Sequence, residues 1–434
     1  MTKISGWGRY PVVNAATFSF ETPGQLSEHL ARPGAMIPFG MGRSYGDSAL
    51  CEQIVCTRRA RSIESFDPET GVVVCDAGVS LAELIDVFLP RGWFLSITPG
   101  TKYITVGGAI ASDVHGKNHH SAGCFSACVD WFELMLPDGS VTRCSAKKNA
   151  ELFRATCGGM GLTGVIVRAQ VRLQPVPSAM IDQTIVKARN LEEAFELFEQ
   201  YSSWTYSVAW IDCLAQGNHL GRSLLMVGEH AGNQPLRLLP NRKLNVPVDF
   251  PAFTLNSLSV SLFNSLYYAK TFGRMTQNQT AIDPFFYPLD AIHNWNRIYG
   301  KPGFTQYQFV LPRAASYDGL KQILTRIAAS GQGSFLAVLK LFGAENDNYL
   351  SFPMEGYTLA LDFKITPQLF PLLDTLDEMV HEIGGRVYLT KDARLRPDTF
   401  RQGYPGLEDF MKVRRQYGLP EKMQSLQSRR LNLQ

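Results

Sequence analysis

The chain has 434 residues, of which 45% are hydrophobic and 19% are charged, and its formal net charge is +3. This length exceeds what one simple core needs, so it favours two domains or one domain with a large insertion. The small net charge argues against a dedicated nucleic-acid-binding protein. We therefore expect a globular protein whose partners do not include nucleic acid.

The eight cysteines form no C-x-x-C pair, which argues against a zinc module or a disulfide scaffold. Cys124 and Cys128 are close enough in sequence to approach each other, but buried free thiols are the more frequent outcome. No carboxylate stands at ligand spacing from the neighbouring His119 and His120. We therefore also expect no bound metal.

Neither a targeting segment nor a membrane-spanning segment is predicted. The first ten residues lack the apolar core of a secretory signal, and no stretch reaches the roughly eighteen apolar residues of a membrane span. We expect a cytoplasmic location with at most peripheral contact at the inner membrane, and the periplasmic face stays open as an alternative. One apolar segment, residues 253–272, is expected either to be a buried helix or to lie against lipid.

Residues 1–175 combine short strands, short helices and three glycine clusters, which indicates an α+β unit. Residues 35–39 form a predicted strand that runs into the first cluster, residues 40–47. Ser80 is placed to cap a helix that stops by Pro90. A turn at residues 137–140 separates two further strands, and residues 150–167 predict a helix, a glycine cluster and another strand.

From about residue 175 onward, longer amphipathic helices alternate with aromatic-rich strands. This alternation predicts an antiparallel sheet backed by helices on one face. Residues 215–280 show weak periodicity and are predicted as a loop region. The predicted helices cover residues 190–201, 316–329 and 366–383, and the predicted strands cover residues 304–311, 335–342 and 357–363.

The stretch of residues 98–120 carries the densest set of candidate functional groups. Gly107 and Gly108 remove two side chains in a row, so we expect their peptide N–H groups to reach a planar or anionic ligand. His115 and Lys117 follow closely and supply titratable donors. The loop at residues 40–47 either embraces a phosphate or closes a hairpin, and its spacing does not match the Rossmann G-x-G-x-x-G motif.

Near the C-terminus, the sequence R-V-Y-L-T-K-D-A-R at residues 386–394 follows two glycines and has strand-like spacing. On strand alternation, Tyr388 and Asp392 share one face and Lys391 lies on the other. A lysine at a strand end is most often a surface residue. The pattern alone therefore does not mark Lys391 as catalytic.

Three motifs together resemble the vanillyl-alcohol-oxidase type of FAD-dependent oxidoreductases. They are G-R-S-Y-G-D at residues 42–47, P-G-T-x-x-x-T-V-G-G at 99–108 and A-E-L-F-x-A-T-x-G-G-x-G-L-T-G at 150–164. Within that superfamily, further motifs are similar to the decaprenylphosphoryl-β-D-ribose 2-oxidase family, and the resemblance is weakest between residues 215 and 280. These motifs are H-G-K-N-H-H-S-A-G at 115–123, F-x-Y-P-L-D at 285–290, W-N-R at 295–297, Q-Y-Q-F at 306–309, K-L-F-G at 340–343, S-F-P at 351–353 and K-D-A-R at 391–394.

The resemblance implies an α+β, two-domain FAD-binding fold of the vanillyl-alcohol-oxidase type with an antiparallel-sheet substrate domain. The FAD-binding domain is expected at residues 1–178, completed by 386–434, and the substrate-binding domain at 179–385. Some relatives bind flavin covalently through a histidine at the position of Tyr45; tyrosine cannot form that bond, so non-covalent FAD is expected. The residues expected to bind FAD are Phe39, Gly40, Met41, Gly42, Arg43, Ser44, Tyr45, Gly46, Asp47, Gly100, Thr105, Val106, Gly107, Gly108, Ser112, His115, Gly116, Lys117, Ile166 and Tyr388.

The resemblance also implies the catalytic residues, Lys391 and His115. Lys391 would exchange the alcohol proton or stabilise reduced flavin, and His115 would bind the substrate or tune the flavin. Ala360 stands where the best-known relatives carry a cysteine that nitroaromatic inhibitors trap, so such covalent inhibition should fail here. The residues expected to bind substrate are Lys117, Tyr287, Gln306, Gln308 and Lys340.

The implied activity is FAD-dependent oxidation of the C2 hydroxyl of polyprenyl-phosphoryl-β-D-ribose to the 2-keto sugar. This is the first half of an epimerisation that supplies arabinose for the cell envelope. A separate short-chain dehydrogenase/reductase would complete it, and a quinone would accept the electrons. A soluble sugar, alditol or aldonolactone oxidase of the same superfamily is the first alternative, and a non-catalytic flavin electron-transfer subunit is the second.

Overall fold

The structure, a computed structural model, describes residues 1–232, 234–238, 243–251 and 253–434. Within these residues the strands are β1 (Thr2–Ser5), β2 (Val12–Ser19), β3 (Ile37–Phe39), β4 (Gln53–Cys56), β5 (Ile63–Asp67), β6 (Val72–Asp76), β7 (Trp93–Leu95), β8 (Val129–Met135), β9 (Val141–Cys144), β10 (Val165–Pro175), β11 (Met180–Ala188), β12 (Tyr206–Ile211), β13 (Ser223–His230), β14 (Leu244–Asn245), β15 (Met275–Ala281), β16 (Ile292–His293), β17 (Phe304–Pro312), β18 (Ala337–Phe342), β19 (Gly356–Lys364) and β20 (Arg386–Val387). The helices there are α1 (Pro23–Leu30), α2 (Leu81–Phe88), α3 (Val106–Ala111), α4 (His119–Ala122), α5 (Ala150–Thr156), α6 (Leu191–Gln200), α7 (Ser257–Ala269), α8 (Ile282–Phe286), α9 (Ser316–Ser330), α10 (Leu369–Glu382), α11 (Pro397–Gly403), α12 (Leu407–Gln416) and α13 (Leu426–Arg430).

Two sheets occupy the N-terminal part of the chain. A four-stranded sheet has the order β1-β2-β4-β3, in which β1 and β2 are antiparallel and the other two pairs are parallel. A second sheet has the order β5-β6-β10-β8-β9, with β7 beside β10, and its pairs are antiparallel. Helix α3 contacts β10, so the glycine pair at the start of α3 lies beside this second sheet.

Local sequence signals fix the start of α2. The Glu83 N–H donates to Ser80 Oγ at 3.2 Å, and the Ser80 N–H donates to Glu83 Oε2 at 2.7 Å. This capping box satisfies two N–H groups that a helix N-terminus otherwise leaves unpaired. The helix therefore begins at Leu81, and the predicted cap at Ser80 is confirmed.

The middle of the chain forms one antiparallel sheet with the order β15-β11-β13-β12-β18-β19-β17-β20. Helix α6 contacts β11 and β13, and α9 and α10 contact β17. The predicted antiparallel sheet with packed helices is confirmed. Strand alternation gives this sheet two different faces: on β19, Leu359 and Leu361 are fully buried in the core, whereas Thr358 and Ala360 line a cavity.

The prediction of a loop region at residues 215–280 is wrong, because β13, α7 and β15 lie within it or across its end. β13 and β15 both pair with β11, so backbone hydrogen bonds to a distant strand fix them rather than a local periodicity. The two domain boundaries stay a prediction, and β20, just beyond residue 385, still pairs with β17. In the described part of the chain, no helix is long and apolar enough to cross a bilayer.

Candidate active site

A cavity of about 590 Å³ lies where glycine-rich loops of the N-terminal part meet one face of the eight-stranded sheet. This volume is usual for a cofactor or substrate site. Residues i and i+2 of a strand share a face, so neighbouring strands present a continuous set of side chains to the cavity. The wall formed by β17, β18 and β19 consists of Gln306, Gln308, Val338, Lys340, Thr358 and Ala360.

The loop at residues 40–44 also lines the cavity, and no hydrogen bond among the described residues uses its five backbone N–H groups. Gly40 allows close approach to Thr105, because a Cβ at this position would stand 2.5 Å from Thr105 Oγ1. Gly46 is more constrained still, since a Cβ there would stand 1.7 Å from the carbonyl oxygen of Asp392. Unpaired N–H groups in a glycine-rich loop form an anion-binding cradle.

The glycine pair at the start of α3 has a different role from the one predicted. The Gly107 N–H donates to the Ala77 carbonyl at 2.9 Å, and the Gly108 N–H donates to Thr105 Oγ1 at 3.0 Å. Both N–H groups are therefore occupied, and the expectation that they reach a ligand is wrong. What glycine provides here is space, because a Cβ on Gly107 would stand 3.0 Å from the Ala77 Cβ.

Lys391 lies on a turn rather than on a strand. β20 ends at Val387, and the Lys391 N–H donates to the Tyr388 carbonyl at 3.0 Å. Tyr388 and Lys391 both line the cavity, whereas Asp392 is buried in an ion pair with Arg430 at 2.8 Å. The predicted sharing of one strand face by Tyr388 and Asp392 is therefore wrong, since the strand ends before either residue.

The Lys391 ammonium lies 4.0 Å from the centroid of the Tyr45 ring. Burial lowers the pKa of Lys391 to about 7; the charge of Asp362 opposes this shift and that of Lys340 adds to it. Asp362 lies opposite Gln306 in the β17–β19 register, accepts a hydrogen bond from its amide, and has its own pKa raised by burial. A lysine that titrates near neutrality can accept or release a proton during a reaction.

His115 is buried at the cavity, with 5% of its surface exposed. The Gln308 amide donates to His115 Nε2 at 3.1 Å, so the ring carries its proton on Nδ1. Among the described residues, Nδ1 has no hydrogen-bond partner. Burial, with smaller contributions from Lys340, holds the pKa of His115 well below its usual value, so His115 is a neutral donor at pH 7.

Two further lysines reach the cavity. Burial lowers the pKa of Lys340 to about 8, and burial together with the charge of Lys340 lowers the pKa of Lys117 to about 7. Lys117 donates to the Phe285 carbonyl and lies 4.3 Å from the Phe285 ring centroid. The Lys340 ammonium makes no ion pair or hydrogen bond within the described ranges. Its ammonium is therefore the more available one for an anionic ligand.

Comparison with known proteins decides the family. Residues 27–145 match the model of an FAD binding domain. The chain is 36% identical over 452 aligned positions to a decaprenylphosphoryl-β-D-ribose oxidase of Mycolicibacterium smegmatis, which covers 99% of this chain and 97% of that relative. The chain belongs to the decaprenylphosphoryl-β-D-ribose oxidase family. It is accordingly an FAD-dependent oxidoreductase, and the predicted α+β FAD-binding fold of the vanillyl-alcohol-oxidase type is confirmed.

Two other relatives show how far the similarity extends. An uncharacterized protein of Streptomyces coelicolor is 32% identical over 354 residues, covering 77% of this chain and 95% of that relative. A Delta(24)-sterol reductase of Homo sapiens is 30% identical over 113 residues, covering 26% of this chain and 22% of that relative. Similarity to the oxidase family therefore spans both parts of the chain, whereas similarity to the sterol reductase covers about a quarter of it.

The residues present fit the FAD cofactor of this family. The unpaired N–H groups at residues 40–44 suit a diphosphate. Gly40 has no side chain, which leaves room where the loop meets Thr105. The free Nδ1–H of His115 and the ammonium of Lys391 suit a ring system that gains electrons.

Most residues that the sequence singled out lie around this cavity. The Tyr388 hydroxyl, for example, donates to the Ser112 carbonyl at 2.8 Å and so joins the C-terminal turn to the segment that follows α3. The predicted residues that line the cavity are Phe39, Gly40, Met41, Gly42, Arg43, Ser44, Tyr45, Gly100, Thr105, Gly107, Gly108, Ser112, His115, Gly116, Lys117, Ile166, Gln306, Gln308, Lys340, Tyr388 and Lys391.

Four predicted residues lie behind the cavity wall instead. Gly46 packs on the Asp392 backbone, and Val106 is fully buried in the core. Asp47 forms an ion pair with Arg430 at 2.8 Å, which anchors the glycine-rich loop to α13. The Tyr287 hydroxyl lies 2.7 Å from Thr98 Oγ1, and the side chain is 1% exposed. These residues support the wall, and Tyr287 is not available for direct contact with a ligand in this structure.

Sequence reasoning missed two residues beside the site. Asp362 is fully buried next to Lys391. Its position two residues after Ala360 on β19, on the face that lines the cavity, could have indicated it. Trp7 lines the cavity, and the Arg43 guanidinium stacks 3.9 Å from its ring centroid. No local pattern marks Trp7, since its contact with Arg43 depends on chain segments that only the fold brings together.

Proposed function

We propose that the chain oxidises the C2 hydroxyl of a polyprenyl-phosphoryl-β-D-ribose to the 2-keto sugar. The relative from M. smegmatis is named for a decaprenylphosphoryl-β-D-ribose substrate and aligns over almost the whole chain. The observation that carries the proposal is one cavity that joins a glycine-rich cradle to a wall bearing Gln306, Gln308 and Lys340. The amides of Gln306 and Gln308 can form hydrogen bonds with sugar hydroxyls, and the ammonium of Lys340, which has no partner among the described residues, can bind the phosphate.

In this proposal FAD is bound non-covalently. The N–H groups of residues 40–44 would hold its diphosphate, and residues 112–117 with Tyr388 would hold its ring system. Tyr45 stands where some relatives carry a histidine that bonds the flavin, and a phenol cannot form that bond. The FAD-binding domain would comprise residues 1–178 and 386–434, and the substrate-binding domain residues 179–385.

FAD, when bound, supplies the acceptor for the two electrons and the hydrogen that leave the alcohol carbon. Lys391, as the neutral amine, accepts the hydroxyl proton, since burial lowers its pKa to about 7. His115 remains neutral and donates a hydrogen bond through Nδ1. Gln306 and Gln308 orient the sugar ring, which fixes the hydroxyl that meets Lys391.

The 2-keto product requires a second enzyme that returns a hydride to C2 from the opposite face. We propose a short-chain dehydrogenase/reductase for this step, which completes the epimerisation to the arabinose form, and a quinone as the acceptor that reoxidises the enzyme. A polyprenyl tail resides in lipid, so the protein would contact the inner membrane peripherally.

Anaerobic reduction of the purified yellow protein tests the proposed function. Flavin absorbance is followed after addition of farnesylphosphoryl-β-D-ribose, and separately after addition of ribose or xylitol at the same concentration. We expect bleaching only with the prenyl-linked sugar. Bleaching by the free polyol would favour the soluble sugar, alditol or aldonolactone oxidase instead, and no bleaching by any of them would favour a flavin electron-transfer subunit.

Exchange of Ala360 for cysteine is expected to create a reactive thiol in the cavity. Ala360 faces Gln308 and Val338 on the neighbouring strands, and no native cysteine lines the described cavity. Native thiols are unreactive because burial raises their pKa, for Cys213 to about 12. Mass spectrometry should find no adduct of a nitroaromatic inhibitor or of iodoacetamide on the parent cavity and one on Ala360→Cys.

Ala360→Ser is the matched control, since it adds a polar atom of similar size without a thiol. We expect it to remain unlabelled. Equal labelling of the parent chain and Ala360→Cys would contradict the position of residue 360 in the cavity.

A further inference from the structure

The exposed apolar side chains of this protein are concentrated in one short segment. Of the thirteen large hydrophobic side chains that the described residues expose, ten lie between residues 244 and 275. Scattered exposed apolar residues are normal on a protein surface, but a concentration of ten on one segment indicates an interaction site. The ten side chains, here named the apolar patch, are Leu244, Val248, Phe250, Phe253, Leu258, Leu262, Phe263, Leu266, Phe272 and Met275.

Helix α7 organises the centre of the apolar patch. Leu258, Leu262 and Leu266 follow one another at four-residue spacing and are 79%, 60% and 63% exposed. The opposite side of the helix is fixed to the protein, since Asn264 is fully buried and donates to Asp212 Oδ1 at 2.7 Å. The helix therefore packs through a polar anchor and holds a leucine stripe outward.

The charges around the apolar patch favour an anionic surface. Between residues 244 and 275 the ionisable acidic and basic side chains are Asp249, Lys270 and Arg274. Asp249 is neutralised by an ion pair with Arg9. Arg274, 76% exposed at its side chain, lies 4.0 Å from Glu193, which also pairs with the exposed Arg189, so these three side chains carry one surplus positive charge. An exposed apolar helix face flanked by basic residues is typical of proteins that lie in the headgroup region of an anionic bilayer.

The apolar patch is continuous with the active-site cavity. Tyr267 and Lys270 line the cavity from α7, and the Tyr267 ring lies 4.8 Å from that of Trp210 on the cavity wall. The same helix thus contributes Tyr267 and Lys270 to the cavity wall and carries the leucine stripe, and the two meet at Lys270, which follows Leu266 by four residues. A lipid tail that leaves the cavity past Tyr267 emerges beside this stripe.

We propose that the apolar patch docks on an anionic phospholipid bilayer, so that the cavity opens at the membrane surface and the tail of the substrate stays in lipid while its sugar reaches the active site. The route of the tail rests on the proposed function, but docking does not. A protein partner, such as the reductase, is the competing occupant.

Sedimentation with lipid vesicles tests the proposal on the full, FAD-loaded chain without substrate. Phosphatidylcholine vesicles with 30% phosphatidylglycerol, roughly the anionic content of a charged leaflet, should carry the protein into the pellet, and raised salt should weaken binding. The variant Leu258→Gln/Leu262→Gln/Leu266→Gln should lower the partition coefficient at least tenfold. Val12→Gln/Val141→Gln, which changes exposed apolar residues elsewhere, should bind like the parent.

Flavin absorbance and thermal unfolding check that the triple variant is folded. We expect it to fold because the three substituted side chains are exposed. Phe253→Ser/Phe272→Ser provides a second test outside the helix, because these side chains are 77% and 89% exposed. The proposal would be overturned if the parent did not pellet with the vesicles. It would also be overturned if the triple leucine variant and the double phenylalanine variant pelleted as well as the parent. Vesicle binding is measured without substrate, so its result does not depend on the result of the flavin-bleaching experiment. Failure of membrane docking and failure of the proposed function can therefore be distinguished.

Discussion

Lys391→Met is expected to lower kcat by about 100-fold to 10,000-fold while the protein stays yellow, which is the usual range for loss of a positioned acid–base group. Methionine keeps the length of the lysine stem but removes the amine. The Lys391 ammonium makes no ion pair or hydrogen bond within the described ranges, and burial already disfavours its charged form. Thermal stability should change little, because burial already raises the pKa of the neighbouring Asp362 and its carboxyl can take up a proton when the amine is lost.

Lys391→Arg separates the two roles assigned to this side chain. Arginine keeps a positive charge beside Tyr45 but cannot give up its proton near neutral pH. If Lys391 is the base, the arginine variant should lose activity as the methionine variant does. Substantial activity in Lys391→Arg would assign Lys391 to charge stabilisation alone. Lys321→Met, on the exposed side of α9, is the matched control and should be fully active.

The pH dependence of the parent enzyme gives an independent readout of the same residue. The pKa of Lys391 is lowered to about 7, so below this pH the group is protonated and cannot accept a proton. We expect kcat/KM to fall about tenfold per pH unit below about 7, and to fall again above about 8, where the Lys340 ammonium proposed to bind the phosphate loses its proton. The acidic limb should be missing from the residual activity of Lys391→Met. His115 should not contribute to it, because its pKa lies well below the usual value.

Gly46→Ala is expected to abolish tight FAD binding and to destabilise the fold. The added Cβ would stand 1.7 Å from the Asp392 carbonyl oxygen and 3.0 Å from the Ala393 nitrogen. Both contacts are with backbone, so the loop at residues 40–47 must move away from the turn that carries Lys391. Overpacking of this kind typically costs about 1–3 kcal/mol of folding free energy, and here the displaced loop is also the proposed diphosphate cradle.

The measurements for Gly46→Ala are the flavin-to-protein ratio after purification and the melting temperature with and without added FAD. Gly232→Ala is the matched control, because a Cβ there meets nothing within 4 Å and the residue lies outside the cavity. We expect the control to match the parent in both measurements. A fully yellow Gly46→Ala protein with the melting temperature of the parent would contradict the packing described for this loop.

Some features of the site depended on nearby residues alone and were therefore predictable. The cap at Ser80 requires only Glu83 three residues later, and the cavity wall of β17 requires only that Gln306 and Gln308 alternate along a strand. The loop at residues 40–47 could be predicted because its three glycines fall within seven positions.

Other features depended on partners that are distant in sequence. Whether the N–H groups of Gly107 and Gly108 are free was decided by Ala77 and Thr105, and the first expectation about them was wrong. The face on which Lys391 lies was decided by the end of β20, whose pairing with β17 spans more than seventy residues. Tyr287 matched a family motif, yet its side chain does not line the described cavity and its hydroxyl lies 2.7 Å from Thr98 Oγ1.

The sequence by itself determined the family, the cofactor class and most of the residues that surround the cavity, because glycine-rich loops and strand alternation are local properties of the chain. Only the tertiary structure decided which polar groups remain available to a ligand. Asp362 beside Lys391, the free Nδ1–H of His115 and the outward leucine stripe of α7 all result from strand register and helix packing. These depend on contacts between distant segments, which no local pattern encodes.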